Sequence, residues 1–262
     1  MKILVCVKQV PDTTEIKIDP VKNTLIRQGV PSIMNPFDKN ALETALRLKD
    51  TYGGRVVAIS MGPQQAKAVL REAISMGADE GYLITDRAFG GSDTYATSYI
   101  LSQAIEKLGP FDVILGGKQA IDGDTGQTAP SIAEHLGATR LTYVLDLKVE
   151  GDKVIARRQV EEGIEVIETS FPVLCTATKE SNKPRYATVS RKLYSLRCDI
   201  PELTFADFPD IDTSKIGLKG SPTKVKATFT PKRTATGVTI EGSSPAEIAG
   251  SLISKLTEAK VL

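Results

Sequence analysis

Short apolar runs alternate with helix-like segments along the first half of the sequence, and this alternation restricts the possible fold more than any other feature. The runs KILVCVKQV, RVVAISM, GYLIT and FDVILGG have the length and apolar content of buried strands. Helical periodicity marks the segments 36–50, 64–76, 92–108 and 128–136. Strands that alternate with helices form a parallel sheet with helices on both faces. The sequence therefore predicts a doubly wound α/β fold.

The sequence pattern changes after Gly137. The run YVLDLKVEGDKVIARRQV predicts two strands with a turn at 150–153, and IEVIETS and FPVLCTAT predict two more. We interpret these strands as an antiparallel extension of the same α/β domain. That domain is predicted to span residues 1–200.

Residues 201–262 have little of the pattern of an independent domain. Residues 201–233 contain several prolines and few apolar runs, and helical periodicity returns only at 244–262. We predict an extended C-terminal arm that lies either on its own domain or, as we prefer, on another subunit. Its expected apolar stripe consists of Ile248, Leu252, Ile253, Leu256 and Val261.

Composition argues against several classes of function. The 33 basic and 32 acidic residues nearly cancel, so nothing in the net charge favours nucleic acid or a membrane surface. No apolar run has the length of a membrane helix, and Met1-Lys2 leads directly into a strand-like run, which predicts a cytoplasmic protein without membrane insertion. The single histidine, His135, disfavours zinc sites and histidine-assisted nucleophilic catalysis. Hydrolytic and metal chemistry therefore have little support, and we predict no metal site.

Two loops that follow predicted strands have the character of anion sites. GKQAIDGDTGQT, at 117–128, joins a strand to a helix, so its backbone N–H groups and the helix dipole point at one place. It is neither a Walker loop nor a GxGxxG motif, and the alternative is an ordinary loop in which Asp122 and Asp124 cap the helix. DRAFGGSDT places Gly90 and Gly91 before an N-cap at Ser92 or Asp93; its alternative is a flexible, well-capped loop. Because both loops leave the same edge of the sheet, we predict a nucleotide site there.

The segment 179–197 is rich in basic residues, with tyrosines among them. Such a run is either a solvated face or a protein-docking surface, since arginine and tyrosine are favoured at interfaces.

Several motifs together resemble one known family. They are VCVKQVPD, MNPFDKNALETALRLKD at 34–50, SMGP, MGADE, GKQAIDGDTGQ and NKPRYATVS, and in this order they resemble the β subunit of electron-transfer flavoprotein along essentially the whole chain. The resemblance implies a sheet of the adenine-nucleotide α-hydrolase-like type and a heterodimer with an FAD-carrying α subunit. It also implies electron exchange with a flavin-bearing dehydrogenase or reductase, and a β subunit that holds either AMP or a second FAD.

The segment DRAFGGSDTYATS, together with DGDTGQ, resembles the electron-bifurcating branch of this family. That branch implies FAD in this subunit, NADH as electron donor and ferredoxin or a similar low-potential carrier as one acceptor. Because the cofactor does the redox chemistry in such a protein, the resemblance also implies no catalytic acid, base or nucleophile. Two alternatives stay open: an AMP-binding subunit of a single-FAD flavoprotein, and an ATP-binding enzyme or sensor of the same fold. The latter would be expected to grip phosphate directly after the first strand, where this chain has KQVPD without glycine.

The resemblance and the loop pattern together assign the site residues. Asp122 or Asp124 is expected to face away from phosphate, because like charges in contact are costly. Thr125, Gln127 and Thr128 can donate hydrogen bonds to phosphate. Partner docking is assigned to Val189, Ser190, Arg191 and Lys192. The predicted cofactor-binding residues are Cys6, Asn35, Pro36, Phe37, Asp38, Met61, Phe89, Gly90, Gly91, Ser92, Asp93, Thr94, Gly117, Lys118, Gln119, Ala120, Ile121, Asp122, Gly123, Asp124, Thr125, Gly126, Gln127 and Thr128.

Overall fold

A computed structural model describes residues 1–12, 31–226 and 237–262. The chain divides into two compact units, Met1–Lys226 and Ala227–Leu262. Residues 227–236 of the predicted arm lie outside the described residues.

The first unit contains eleven described strands and six described α-helices, and the second unit contains one described α-helix. The strands are β1 (Lys2–Cys6), β2 (Gln9–Pro11), β3 (Ser32–Met34), β4 (Arg55–Met61), β5 (Glu80–Ile84), β6 (Val113–Gly117), β7 (Thr139–Glu150), β8 (Lys153–Val160), β9 (Gly163–Ser170), β10 (Val173–Ala177) and β11 (Glu202–Leu203). The helices are α1 (Pro36–Tyr52), α2 (Lys67–Met76), α3 (Thr94–Leu108), α4 (Thr128–Leu136), α5 (Val189–Arg197), α6 (Gly217–Gly220) and α7 (Pro245–Glu258).

Nine strands form one sheet in the order β11-β5-β4-β1-β6-β10-β7-β8-β9. Pairing is parallel from β11 to β7 and antiparallel between β7, β8 and β9. Residues alternate between the two faces of β1: Ile3 and Val5 pack with α1 and α2, whereas Leu4 packs with α3 and α4. The predicted doubly wound, mostly parallel sheet with an antiparallel extension is confirmed.

One strand was placed wrongly by sequence reasoning. The run FPVLCTAT was predicted to belong to the antiparallel extension, but β10 lies inside the parallel part, between β6 and β7. Every residue of β10 is buried, as expected for a strand covered on both faces. The antiparallel extension therefore consists of β8 and β9 on the edge formed by β7.

Residues 201–226, which sequence analysis assigned to the arm, contribute to the first unit. Strand β11 pairs with β5 at the edge of the sheet. Phe208, Ile211 and Ile216 are buried in the core on the α3 and α4 side. These apolar residues are isolated between polar ones, so they anchor an irregular segment without producing a periodic pattern.

The second unit contains α7, which begins with a capped first turn. The Ser244 side chain accepts a hydrogen bond from the N–H of Glu247, as an N-cap serine does. No residue of α7 is buried, and Ile248, Leu252 and Ile253 of the predicted stripe are exposed. Packing of this stripe on another subunit stays a prediction.

Candidate functional site

A large cavity, of about 1120 Å³, lies at the carboxyl ends of β1, β4, β5 and β6. The chain passes from β1 through β4 to β5 on one side, then returns to place β6 on the other side of β1. Loops that leave β1 and β6 diverge at such a reversal of strand order and open a crevice. The cavity therefore occupies the position where α/β sheets most often bind ligands.

Most predicted cofactor-binding residues line this cavity, and five do not. The five are Asn35, Pro36, Phe37, Ile121 and Gln127, which belong to the segments directly behind or beside the wall. The lining residues from the prediction are Cys6, Asp38, Met61, Phe89, Gly90, Gly91, Ser92, Asp93, Thr94, Gly117, Lys118, Gln119, Ala120, Asp122, Gly123, Asp124, Thr125, Gly126 and Thr128.

The site residues assigned from the sequence leave out part of the wall, although the loops 9–12, 61–63 and 86–93 were expected at this edge of the sheet. The loops 7–11, 62–66 and 84–87 also line the cavity. Each follows or lies close to the end of a predicted strand, so the position of the strand ends was an available signal. Glu202 is a further lining residue, and nothing in its sequence context indicated this position.

The start of α1 holds two walls of the cavity together. The amide of Asn35, which is fully buried, donates to the carbonyl of Gln119 at 2.8 Å and accepts from the N–H of Ile121 at 3.2 Å. One turn later, Asp38 accepts the N–H of Lys8 at 2.8 Å and that of Gly117 at 3.0 Å. Because both side chains bond to backbone groups of the wall, they shape the cavity, although only Asp38 also lines it.

Glycine at position 117 is required by close packing. A Cβ built there would lie 2.4 Å from the Asp38 carboxylate and 2.7 Å from the Asp38 backbone nitrogen. Real Cβ atoms do not approach other atoms so closely, so a side chain would force the loop and α1 apart.

The two aspartates of this loop do not cap α4. Asp122 forms an ion pair with Lys8 at 2.6 Å, and Asp124 accepts from the Gln119 amide at 2.8 Å. The N-cap of α4 is Gln127, whose side chain makes no capping hydrogen bond. The structure therefore contradicts the alternative in which 117–128 is an ordinary loop whose aspartates cap α4.

The N-termini of α3 and α4 differ in charge. Asp93 caps α3 by accepting the N–H of Ala96, and it also accepts two hydrogen bonds from Thr223. Although burial opposes the effect, these hydrogen bonds hold the pKa of Asp93 below its ordinary value, so a negative charge already occupies that end. The positive end of α4 carries no such charge on its N-cap, which leaves it as the better place for an anion.

Residues 217–223 fasten the loop before α3. The N–H of Gly217 donates to the Ser92 hydroxyl at 3.1 Å, and the N–H of Asp93 donates to the Ser221 hydroxyl at 2.8 Å. The Ser221 hydroxyl lies 2.8 Å from the Gly217 carbonyl and can donate to it. These contacts are at odds with the alternative of a flexible 90–93 loop. They could not be foreseen from the sequence.

The cavity has no charged thiol and no recognisable metal centre. Burial, helped by the charge of Asp38, raises the pKa of the Cys6 thiol to about 12, so the thiol is neutral. Over residues 1–12, 31–226 and 237–262, no three His, Cys, Asp or Glu side chains are grouped as metal ligands.

The predicted docking residues lie at the start of α5. Val189 is 79% exposed, and Ser190 and Lys192 are also exposed. Arg191 is half-buried and donates to the carbonyl of Ala78 at 2.5 Å. The structure thus gives Arg191 a role in holding α5, and leaves the other three free to meet a partner.

Within the described ranges, no helix has both the length and the apolar character needed to span a membrane.

Comparison with known proteins gives consistent matches along the chain. Residues 22–205 match the family model of the electron transfer flavoprotein domain. The chain is 52% identical to an electron transfer flavoprotein subunit beta from Megasphaera elsdenii, with both chains fully covered. It is 54% identical to the protein of the same name from Clostridium acetobutylicum, over 98% of each chain. It is also 49% identical, over both full chains, to the caffeyl-CoA reductase-Etf complex subunit CarD from Acetobacterium woodii.

Proposed function

Because the chain belongs to the electron transfer flavoprotein family, we propose that it is the β subunit of a cytoplasmic heterodimer. In this proposal the subunit binds FAD in the cavity at the carboxyl ends of β1 and β6, and it takes electrons from NADH. The electrons pass to an FAD in the α subunit and then to a flavin-bearing dehydrogenase or reductase, and in part to ferredoxin or a similar low-potential carrier. When bound, FAD supplies the hydride acceptance and the one-electron transfer, while the protein supplies binding, orientation and electrostatics.

One observation carries the assignment of the nucleotide site: α4 begins at the cavity with an uncharged N-cap, directly after a loop that α1 holds in place. The positive end of a helix and free backbone N–H groups form a ready anion site. The Gly117 backbone approaches α1 so closely that no side chain fits between them. The pyrophosphate of FAD suits this end of the cavity.

The part of the cavity beside loop 89–94 suits an uncharged group. The loop 89–94 also lines it, but α3 is capped there by ionised Asp93. A second phosphate would be repelled at that position, whereas an uncharged ring system would not. The volume of about 1120 Å³ lies above the range of about 300–1,000 Å³ typical of small-ligand pockets, which favours a dinucleotide over AMP.

A single-FAD flavoprotein in which this subunit binds AMP is the second candidate. The same α4 end would take the AMP phosphate, because that end binds an anion in either case. The alternatives differ in what fills the region beside loop 89–94.

The proposed docking surface consists of the exposed residues of α5. Val189, Leu193 and Leu196 are 79%, 52% and 59% exposed and follow helical spacing along one side of α5. Lys192 adds a positive charge beside them. The relative from Acetobacterium woodii is named as part of a complex with caffeyl-CoA reductase, which supports a reductase of acyl-CoA-like substrates as the class of partner.

Cofactor analysis tests this proposal. The chain is co-expressed with its α subunit, the bound nucleotides are released by acid and separated by chromatography, and NADH is titrated while the flavin spectrum is recorded. Two FAD per heterodimer and bleaching by NADH are expected. One FAD with one AMP, and no response to NADH, would refute the bifurcating type and favour the second candidate.

A further inference from the structure

Asp38 is a buried carboxylate at the wall of the nucleotide cavity. Its side chain lines the cavity, yet the residue is only 7% exposed. Its two oxygens accept N–H groups from the ends of two neighbouring strands, those of Lys8 and Gly117. Removal of a carboxylate from water disfavours its ionised form unless a cation compensates it.

The charged and titratable groups that face Asp38 provide little compensation. The ammonium of Lys8, on the loop after β1, is engaged with Asp122 at 2.6 Å. Cys6, at the end of β1, faces Asp38 as a neutral thiol. Lys179, from the segment after β10, lies 5.2 Å from the ring centre of Phe37. Of the ion pairs among the described residues, none includes Asp38.

Burial raises the pKa of Asp38 to about 7, against the lowering effects of the Asn35 side chain, of the two backbone N–H groups and of the Lys8 charge. The carboxyl group is therefore poised between its two protonation states near neutral pH, with the cavity open beside it. Each oxygen of a carboxyl group has more than one acceptor position, so one proton can bind while the backbone hydrogen bonds persist.

We propose that Asp38 is a positioning residue that takes up a proton when a phosphate-bearing nucleotide fills the cavity. This inference rests on the proposed nucleotide site. A phosphate at the start of α4 brings negative charge into the cavity that the Asp38 carboxylate lines, and the loop that leads to α4 begins at Gly117, whose N–H donates to Asp38. Two like charges in a poorly solvated place repel each other, and protonation of the carboxylate removes the repulsion. The proton comes from the solvent and ends on a carboxyl oxygen of Asp38.

The direction of the pH effect follows from linkage. Because the proton is bound more tightly in the complex than in the free protein, affinity is highest below the pKa of free Asp38. It decreases as pH rises through the higher pKa of the complex and then becomes constant. Each unit by which binding raises this pKa corresponds to about a tenfold loss of affinity across that interval.

Calorimetry can measure the proton directly. FAD is titrated into the full heterodimer, freed of nucleotide, at pH 7.5 in two buffers that differ in ionisation enthalpy. FAD is a suitable probe because its esterified pyrophosphate does not titrate near neutral pH. The expected result is a buffer-dependent binding heat that corresponds to uptake of a fraction of one proton. A binding heat that is the same in both buffers would overturn the inference and leave the nucleotide site intact.

Two variants identify the group. Asp38→Asn should bind without proton uptake, whereas Glu106→Gln, which replaces an exposed carboxylate of α3 outside the cavity, should retain the uptake. Uptake that persists in Asp38→Asn would overturn the assignment. If that variant does not fold, infrared difference spectra of the wild-type heterodimer serve instead: a protonated carboxyl band should appear on FAD binding, and its absence would refute the inference. If neither FAD nor AMP bound to the heterodimer, both the proposed function and the proposed proton uptake by Asp38 would be refuted.

Discussion

Replacement of Gly117 by alanine tests the packing of the nucleotide cavity. The added methyl group would lie 2.4 Å from the Asp38 carboxylate and 2.6 Å from the Phe37 Cβ atom, so α1 and the loop must separate. Overpacking of this kind costs about 1–3 kcal/mol. Separation also weakens the hydrogen bond from the Gly117 N–H to Asp38, and a hydrogen bond to a charged group contributes about 1.5–3 kcal/mol. We expect a loss of about 3–5 kcal/mol in the free energy of unfolding, and a loss of bound nucleotide.

The matched control is Gly123→Ala in the same loop. A Cβ at Gly123 meets nothing within 4 Å, and its backbone conformation is one that alanine can adopt. Such a replacement is neutral or stabilises by about 0.4–1 kcal/mol. Urea unfolding gives the free energies, and acid release gives the nucleotide content of each purified heterodimer. If the two variants agreed within about 0.5 kcal/mol and kept equal nucleotide, the close contact between Gly117 and α1 would not have the role assigned to it.

Two further predictions concern the docking segment and its support. Val189→Ala should raise the KM for the partner flavoprotein several-fold in a coupled electron-transfer assay. Its free energy of unfolding should change by less than about 0.5 kcal/mol, since the side chain is 79% exposed; an unchanged KM would argue against docking at this residue. Glu43 is buried and pairs with Arg185 at 2.9 Å; although burial opposes the effect, hydrogen bonds from Arg185 and Arg47 hold the pKa of Glu43 below its ordinary value. The stability that this lowered pKa contributes is present in full above the unfolded-state pKa of about 4.3, and it is lost as pH falls through the lower folded-state pKa. Glu43→Gln should therefore cost about 1–3 kcal/mol in urea unfolding at pH 7 and much less near pH 3, and an equal cost at both pH values would refute the charge argument.

The fold could be predicted from sequence wherever a local pattern decides the structure. The helix predicted to begin after Asn35 and the helix predicted to begin near Thr128 are both present, because period and flanking residues act within a few positions. The place of β10 could not be predicted in this way. Its apolar run indicates a buried strand, but neighbours in the sheet are decided by contacts with β6 and β7, far away along the chain.

The site, like the fold, could be predicted only where a local pattern decides the structure. Loops at strand ends were predicted to gather at one edge, and residues from 6 to 128 do line one cavity there. The fastening of loop 89–94 by Ser221 and Thr223 was not foreseen, because a hydroxyl group in an irregular segment gives no periodic signal. The roles of Asn35 and Asp38 were also only partly foreseen. A family resemblance places them near the nucleotide, but only the structure shows that they bond to the backbone of two other loops.

Helix α1 holds both the proposed nucleotide cavity and the proposed docking segment. Its first turn binds the cavity loops through Asn35 and Asp38. Farther along the same helix, Asn40 donates to the carbonyl of Asn182 at 2.8 Å, and Glu43 pairs with Arg185, four residues before α5 begins. An α-helix is stiff over this length, so the segment that leads into α5 keeps a fixed distance from the cavity. A change that loosens Arg185 should therefore disturb electron transfer to the partner even when the nucleotide stays bound.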